Sequence, residues 1–242
     1  SASIGGHVTG DGITVEAVNA RDAANPAEVD PNAFSAQAYA LGAGKDTGGA
    51  GSAAVNVTVM TTSATVNDNA ELDSTGIITV AAENNVVLQN VAGAAGIGLQ
   101  GTGVGVGLAV NAIVDTTTAK IGSGVNADAD GTVSVTAGHS IKPAGSDIDP
   151  LPVSDITIPT PVDFSSIAVA GGVSGGNTGV GVSAAINVYV DTTSAYIDDN
   201  ADVTTDRGVV ISAHDDTDII SLAGAIAASS STAVGIGLDV GV

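Results

Sequence analysis

Aspartate-rich turns are the first feature of this sequence that could bind a ligand. The run Asn126-Ala-Asp-Ala-Asp-Gly131 has the spacing that opens a calcium-binding loop, in which alternate oxygen-bearing side chains face one cation. Ala137 stands where such a loop needs a bidentate glutamate, and it falls within a strand-like segment. We therefore interpret the run as a polar turn.

Weak calcium binding is still expected where aspartates of stacked turns converge. Carboxylate oxygens suit this hard cation, and several turns together supply more of them than one turn does. The calcium ligands predicted in this way are Asp128, Asp130, Asp198, Asp199, Asp202 and Asp206. No other cofactor is expected.

The histidines offer little for a transition metal. His139 and His214 occupy nearly equivalent places in the repeat described below, but Glu83-Asn84 stands there in the preceding unit. A histidine ladder would therefore not continue along the chain. We interpret both residues as turn residues rather than metal ligands.

Catalysis is not indicated. Enzymes that cleave polysaccharides need a local cluster of carboxylates in a groove, together with aromatic rings that hold the sugar. Here Asp115 and Asp191 follow the repeat, Met60 takes their place in another unit, and aromatic residues make up only 2% of the chain. The absence of cysteine excludes disulfides, thiolate metal sites and cysteine nucleophiles. The sequence thus predicts a protein that is not an enzyme.

Composition favours thin, regular β-structure. Hydrophobic residues make up 44% of the chain, mostly Val, Ala and Ile, alongside 33 glycines and no tryptophan. Branched residues favour strands, and small residues let backbones approach closely. The net charge of −21 argues against nucleic acid or an anionic membrane surface as a partner. Membrane insertion is not expected either, because the apolar runs are interrupted by Gly, Asn and Gln.

A recurring block identifies the elements that must position these residues. It occupies Asn56–Ala64, Asn111–Ala119 and Asn187–Ala195, and its final alanines are separated by 55 and then 76 residues. A Pro-rich stretch of 21 residues, Ile141–Pro161, accounts for the longer separation. A fixed period of this kind indicates stacked units that bury one another's apolar faces.

Each unit contains three strand-like segments. The first follows a polar turn and alternates apolar and polar residues, as in Gly131–Ala137. The third, as in Val180–Thr192, has branched apolar residues on one face and small residues on the other. The small face would let a second sheet approach closely. Equivalent large residues begin the second segment, at Phe34, Leu88, Phe164 and Ile219.

We therefore predict an all-β fold, a parallel β-solenoid of about four repeats of about 55 residues. It forms a single elongated domain over residues 1–242, with insertions at 19–33 and 141–161. Whether the long second and third segments pair as antiparallel arms is left open. The first unit starts late and the last stops early, which favours a piece of a longer array over a tail that docks on the next copy.

Two of the third segments carry a more specific pattern. Gly103–Ile121 and Gly179–Ile197 share Gly-Val-Gly-Val-x-x-Ala-x-Asn-x-x-Val-Asp-Thr-Thr-x-Ala-x-Ile. This pattern resembles the β-solenoid repeats of giant bacterial surface and secreted proteins, namely filamentous-haemagglutinin-like adhesins and leukotoxin-type exoproteins. The resemblance implies export to the cell surface, a long rod and contact with other cells or matrix. It brings no catalytic residues.

The predicted function is therefore structural or adhesive, within an extracellular or cell-surface protein. Its expected partners are further repeats of a longer chain or other copies of itself, end to end, and beyond them other cell surfaces or glycans. The alternative is a calcium- or glycan-binding module that acts through the loop at residues 141–161.

Overall fold

Outside residues 20–33 and 144–164, the fold consists of β-strands joined by short turns. The structure is a computed structural model that describes residues 1–19, 34–143 and 165–242. In chain order the strands are β1 (Ala2–Ile4), β2 (His7–Gly10), β3 (Ile13–Asn19), β4 (Phe34–Gly44), β5 (Thr47–Val66), β6 (Glu71–Ser74), β7 (Ile78–Gly98), β8 (Thr102–Ile121), β9 (Asn126–Ala129), β10 (Val133–Pro143), β11 (Ser166–Ser174), β12 (Thr178–Ile197), β13 (Asp202–Thr205), β14 (Val209–Thr217), β15 (Ser221–Ser229) and β16 (Thr232–Gly241).

Three sheets contain all of these strands. The long sheet has the order β1-β5-β8-β12-β16, and the short sheet has the order β13-β9-β6-β2. The bent sheet is centred on β7, with β3 and β4 on one side and β10 and β11 on the other; β14 and β15 lie beyond these last two. Every strand pair in the described part of the chain is parallel, which confirms the all-β, parallel part of the prediction.

Equivalent residues of successive units lie side by side in the long sheet. Asn111 of β8 is flanked by Asn56 of β5 and Asn187 of β12, and the pairing continues without a slip to the ends of these strands. The sequence period therefore corresponds to the step from one strand to the next, about 4.8 Å in a sheet.

The two expected insertions interrupt the bent sheet at neighbouring positions of β7. β3 ends at Asn19, beside Asn84, and β10 continues through Ile141 to Pro143, beside Leu88. Strand pairing thus extends through Asn19 and through Ile141–Pro143, which the sequence assigns to the insertions. Residues 20–33 and 144–164, including Phe164, lie outside the described residues.

The long second and third segments do not pair as antiparallel arms in the described residues. β7 and β8 run in opposite directions, but they belong to different sheets and pack face to face without an antiparallel ladder. Their facing surfaces are built from small residues. A β-carbon on Gly96 would collide with the carbonyl oxygen of Val104, and one on Gly103 would lie 2.7 Å from the oxygen of Gly96. The small face predicted from the sequence therefore lies against the second sheet.

Larger apolar residues fill the space where the three sheets meet. Ile78 and Val80 of the bent sheet, Leu72 of the short sheet and Val66 of the long sheet are buried in one cluster. A second cluster between the long and bent sheets consists only of alanines: Ala54, Ala92, Ala109, Ala168 and Ala185. Large side chains thus separate the sheets where all three meet, whereas only alanine side chains fill the space between the long and bent sheets in the second cluster.

The branched face of the long sheet points outward. Val55, Val57 and Val59 of β5 are exposed, as are Val114 of β8 and Val190 of β12. Because side chains alternate along a strand, the small and amide-bearing residues between them point inward. The long sheet therefore presents an aliphatic outer surface.

The turns that follow the long strands share one backbone feature. Asn69, Gly124 and Asn200 occupy equivalent places and have φ angles of 57°, 66° and 59°. Glycine and asparagine tolerate this left-handed conformation better than other residues. The repeat therefore conserves a conformation at this turn, although it changes the residue.

Candidate functional site

A buried polar cluster lies between the long and bent sheets. Asp115 of β8 and Asp191 of β12 occupy one register of the long sheet, and their side chains point inward. His139 of β10 faces them from the bent sheet and is only 2% exposed. Period-2 alternation explains its position, since Ala137 and Ile141 on either side are also buried.

Direct contacts hold the cluster together. Nε2 of His139 lies 2.8 Å from Oδ2 of Asp115, and its Nδ1 lies 3.3 Å from Oδ1 of Asp215, to which it donates. Asn84 of β7 donates through Nδ2 to Oδ2 of Asp115. One potential ligand atom from each of Asp115, His139 and Asp191 lies within 4.8 Å of the other two. The cluster therefore joins three strands from two sheets.

Burial and charge act in opposite directions on His139. Burial alone lowers the pKa of its imidazole, but the contacts with Asp115 and Asp215 raise that pKa, and the net result is a pKa above the usual value of 6.5. Burial raises the pKa of Asp191 above 3.8, although the neighbouring His139 opposes this. The imidazole thus favours its protonated form, and Asp191 resists ionisation.

Each of these three residues also has a buried atom without a hydrogen-bond partner in the described part of the chain. Oδ1 of Asp115, Nε2 of His139 and Oδ1 of Asp191 are closed to solvent and have no hydrogen-bond partner within the described residues. The contact of Nε2 with Asp115 is that of an ion pair rather than an aligned hydrogen bond. Buried polar atoms in native proteins usually have a hydrogen-bond partner, so three neighbouring atoms without one need an explanation.

The equivalent place in the first unit has different chemistry. Met60 stands at the register of Asp115, and Asn19 stands at the register of Asn84. Nδ2 of Asn19 donates to Oδ1 of Asn84 at 2.6 Å and lies 3.8 Å from the sulfur of Met60. The described residues of the first unit therefore do not repeat the acidic cluster.

The interpretation of His139 and His214 as turn residues is wrong, since both lie within strands, β10 and β14. β10 continues past the seven-residue pattern recognised in the sequence, so His139 lies within a strand. Its neighbours in the sheet are Asn84 and Asp215, whereas His214 lies one register away, beside Gly138. The signal that could have found the site was the continued alternation from Val133 to Ile141, with a histidine at an inward position.

An asparagine ladder lies further along the same inward face. Nδ2 of Asn111 donates to the carbonyl oxygen of Ser165 at 3.0 Å and to Oδ1 of Asn187 at 3.1 Å. Asn90 of β7 donates to Oδ1 of Asn111 at 3.1 Å and to the carbonyl oxygen of Val110 at 2.7 Å. The asparagine of the recurring block thus links neighbouring units and opposing sheets.

The six aspartates predicted to bind calcium lie elsewhere. Asp128 and Asp202 are on short-sheet strands, where they pair in register with Asp73 and Asn126, and both are exposed. The other four are in turns: Asp130, Asp198, Asp199 and Asp206. Asp130 and Asp206 recur at one turn register, since their amides donate to Ser74 and Ala129, the equivalent residues of preceding units. Within the described ranges, the group able to hold a metal contains none of the six, and calcium binding by them stays a prediction.

A shallow groove crosses β7, β10 and β14 on the bent sheet. Its volume is about 320 Å³, and its polar lining includes Glu83, Asn85, Ser140, His214 and Asp216. None of its lining residues is a tryptophan, tyrosine or phenylalanine. The groove therefore lacks the ring types that most often stack on sugars, and the glycan-binding alternative, which concerns the loop at residues 141–161, stays a prediction.

The sequence Gly172-Val-Ser-Gly-Gly176 matches the spacing of a hydrolase nucleophile turn. That motif requires a strand followed by a helix, whereas here β11 is followed by β12. The hydroxyl of Ser174 donates to the carbonyl oxygen of Gly101 and accepts the amide of Gly176 at 3.0 Å. Ser174 therefore serves the turn.

In the described ranges, no helix is long and apolar enough to span a membrane. Comparisons of this chain with protein-family models, with curated proteins and with solved structures find no match.

Proposed function

We propose that this chain is a β-solenoid module with a structural and adhesive role in an extracellular or cell-surface protein. The observation that carries the proposal is the residue-for-residue parallel pairing of successive units in all three sheets. Each unit adds one row to each sheet, which in the bent sheet is either one strand or two consecutive strands, so the array grows along one axis. No catalytic role is proposed.

The mechanical basis of this role is the hydrogen bonding between units. Backbone ladders run along the growth axis in the long, bent and short sheets. Inside them, the side chain of Asn111 adds a bond to Asn187 of the next unit. Tension along the axis would have to break ladders in three sheets together, which suits a load-bearing stalk.

Open sheet edges support axial association. Among the described residues, β1 pairs only with the end of β5, at Ala64–Val66, so the preceding part of β5 has a ladder with β8 alone. At the other end, β14, β15 and β16 are the last strands of their sheets. Unpaired edges accept further strands. Further repeats of a longer chain, or a second copy, would supply strands that pair with these edges.

The surface supports an adhesive role. The exposed valines of the long sheet form an aliphatic outer face, and contiguous apolar surface commonly marks an interaction site. The net charge of −21 keeps separate molecules apart elsewhere on the surface. Contact with other cell surfaces is therefore assigned to the sheet faces rather than to the turns.

Electron microscopy of the purified chain, with calcium and then with a chelator, tests this proposal. The long strands contain 20 residues, so a filament of stacked copies should be a ribbon at most about 66 Å wide. Uniform ribbons would show self-assembly, whereas separate particles would indicate one segment of a longer array. X-ray scattering that shows a compact sphere, or circular dichroism with substantial helix, would contradict the solenoid.

Deletion of residues 144–161 separates the main proposal from a calcium- or glycan-binding module. These residues lie outside the described part of the chain, between the ends of β10 and β11. The structural role predicts unchanged assembly by the shortened chain. Loss of calcium or glycan capture, with assembly intact, would favour the binding module instead.

A further inference from the structure

We propose that Asp115, His139 and Asp191 form a binding site for one divalent transition-metal ion of the zinc type. The three residues come from β8, β10 and β12, which are neighbouring strands in two packed sheets. Their ligand atoms lie within 4.8 Å of one another. This inference is independent of the proposed structural role.

The unpaired buried atoms are the observation that points to an ion. Oδ1 of Asp115, Nε2 of His139 and Oδ1 of Asp191 are closed to solvent without a hydrogen-bond partner in the described chain. These atoms belong to the same three residues whose ligand atoms converge. A cation bound among them would supply a partner to the two carboxylate oxygens and a ligand bond to Nε2, whose present contact with Asp115 is not a hydrogen bond.

The neighbours of the three ligands are those that a metal site requires. A metal-bound histidine usually donates its other ring nitrogen to a carboxylate, which fixes the ring and strengthens the ligand. Nδ1 of His139 faces Oδ1 of Asp215 at 3.3 Å in this way. Asn84 likewise donates to Asp115 and holds its carboxylate in place.

The charge of the cluster also favours a divalent cation. Asp115, Asp191 and Asp215 converge on one imidazole, and the side chains of Asp115 and His139 are each only 1% exposed. Three carboxyl groups thus surround a single imidazole, and no other cationic side chain contacts the cluster within the described residues. Buried charge without compensation is costly, and a divalent ion would balance it.

The ligand types distinguish between metals. Calcium prefers six to eight oxygen ligands, whereas imidazole together with carboxylates suits zinc and related transition metals. Since Met60 replaces the aspartate in the first unit, the described repeats provide one such site. The ion would tie two units of the long sheet to the bent sheet.

Metal content measured on the whole chain tests the proposal. The protein is dialysed with zinc chloride in millimolar calcium, freed of unbound metal and analysed by mass spectrometry, and cobalt serves as the optical probe of coordination. We expect one zinc per chain, visible cobalt absorption typical of nitrogen and oxygen ligands, and a higher melting temperature with zinc.

Four variants assign the site. His139→Gln and Asp191→Asn should each weaken zinc binding at least tenfold, while the matched controls His214→Gln and Asp199→Asn should bind as the original chain does. Asp191 is only partly buried, so Asp191→Asn tests the site even where His139→Gln impairs folding. Absence of stoichiometric zinc in the original chain, or full retention by folded Asp191→Asn, would overturn the proposal.

Discussion

At the scale of single residues, buried polar side chains determine how the units fit together. Asn111 is 0% exposed, yet it makes hydrogen bonds to the next unit and to the opposing sheet. Such bonds contribute modestly to stability when they are made, but a buried partner left unpaired costs more. The repeated asparagine therefore specifies the register between units.

We predict that Asn111→Ala lowers the free energy of unfolding by about 2–4 kcal/mol, because Asn90, Asn187 and the carbonyl of Ser165 would lose a partner. Urea denaturation measures this change. The control is Asn126→Ala on the exposed face of β9, with an expected change within about 0.5 kcal/mol. Equal losses in the two variants would mean that the ladder does not contribute.

At the scale of the element, each long strand has two faces of opposite character. Ile113 is 1% exposed and packs between the sheets, while the next residue, Val114, is 43% exposed. Ile113 and Val114, which are similar in size, therefore show that the second sheet covers one face of β8 and leaves the other exposed.

Substitution of the two neighbours by threonine tests this orientation. We predict that Ile113→Thr costs about 2–4 kcal/mol, since it places a hydroxyl in an apolar cluster and removes buried methyl groups. Val114→Thr should change stability by less than about 1 kcal/mol, because threonine suits an exposed strand. Thermal and urea unfolding of both variants measure the difference. A reversal of the two costs would mean that β8 presents the other face.

The close approach of the long and bent sheets makes a separate prediction. Gly96→Ala would force a methyl group against the backbone at Val104, so we expect a loss of about 1–3 kcal/mol and a lower melting temperature. Gly224→Ala is the matched control, because a β-carbon there meets nothing within 4 Å. A Gly96→Ala variant as stable as the control would mean that β7 and β8 do not approach each other this closely.

The sequence could predict much of this architecture because period and alternation are local signals. The register of the recurring block and its small inward face follow directly from which residues repeat. The cluster at His139 did not follow, because it depends on how a strand of one sheet faces the strands of another. Alternation identifies an inward position, but only packing shows that Asp115 and Asp191 lie opposite His139.

At the scale of the whole molecule, the direction of growth is the main consequence of the fold. The long sheet has five strands, which at about 4.8 Å apart span only about 20 Å along the axis. Each 20-residue strand extends up to about 66 Å across it. The described chain is therefore longer across the strand-stacking axis than along it, so a rod built from the proposed solenoid would need many more units.

Spin labels measure directly the distance between equivalent residues of successive repeats, which should equal one strand spacing per repeat. Thr9, Asp73, Asp128 and Thr204 are exposed and occupy one register across the four strands of the short sheet. The chain has no cysteine, so paired cysteine substitutions at these positions carry the only labels.

Dipolar broadening of the electron paramagnetic resonance spectra should then decrease as the number of strand spacings between the two labels increases. We predict backbone separations of about 5 Å for Asp73→Cys with Asp128→Cys, about 10 Å for Asp73→Cys with Thr204→Cys, and about 14 Å for Thr9→Cys with Thr204→Cys. Broadening that weakens in that order supports stacked, in-register units. An unbroadened spectrum for the first pair, or a closer approach in the third, would contradict the fold and the function proposed from it.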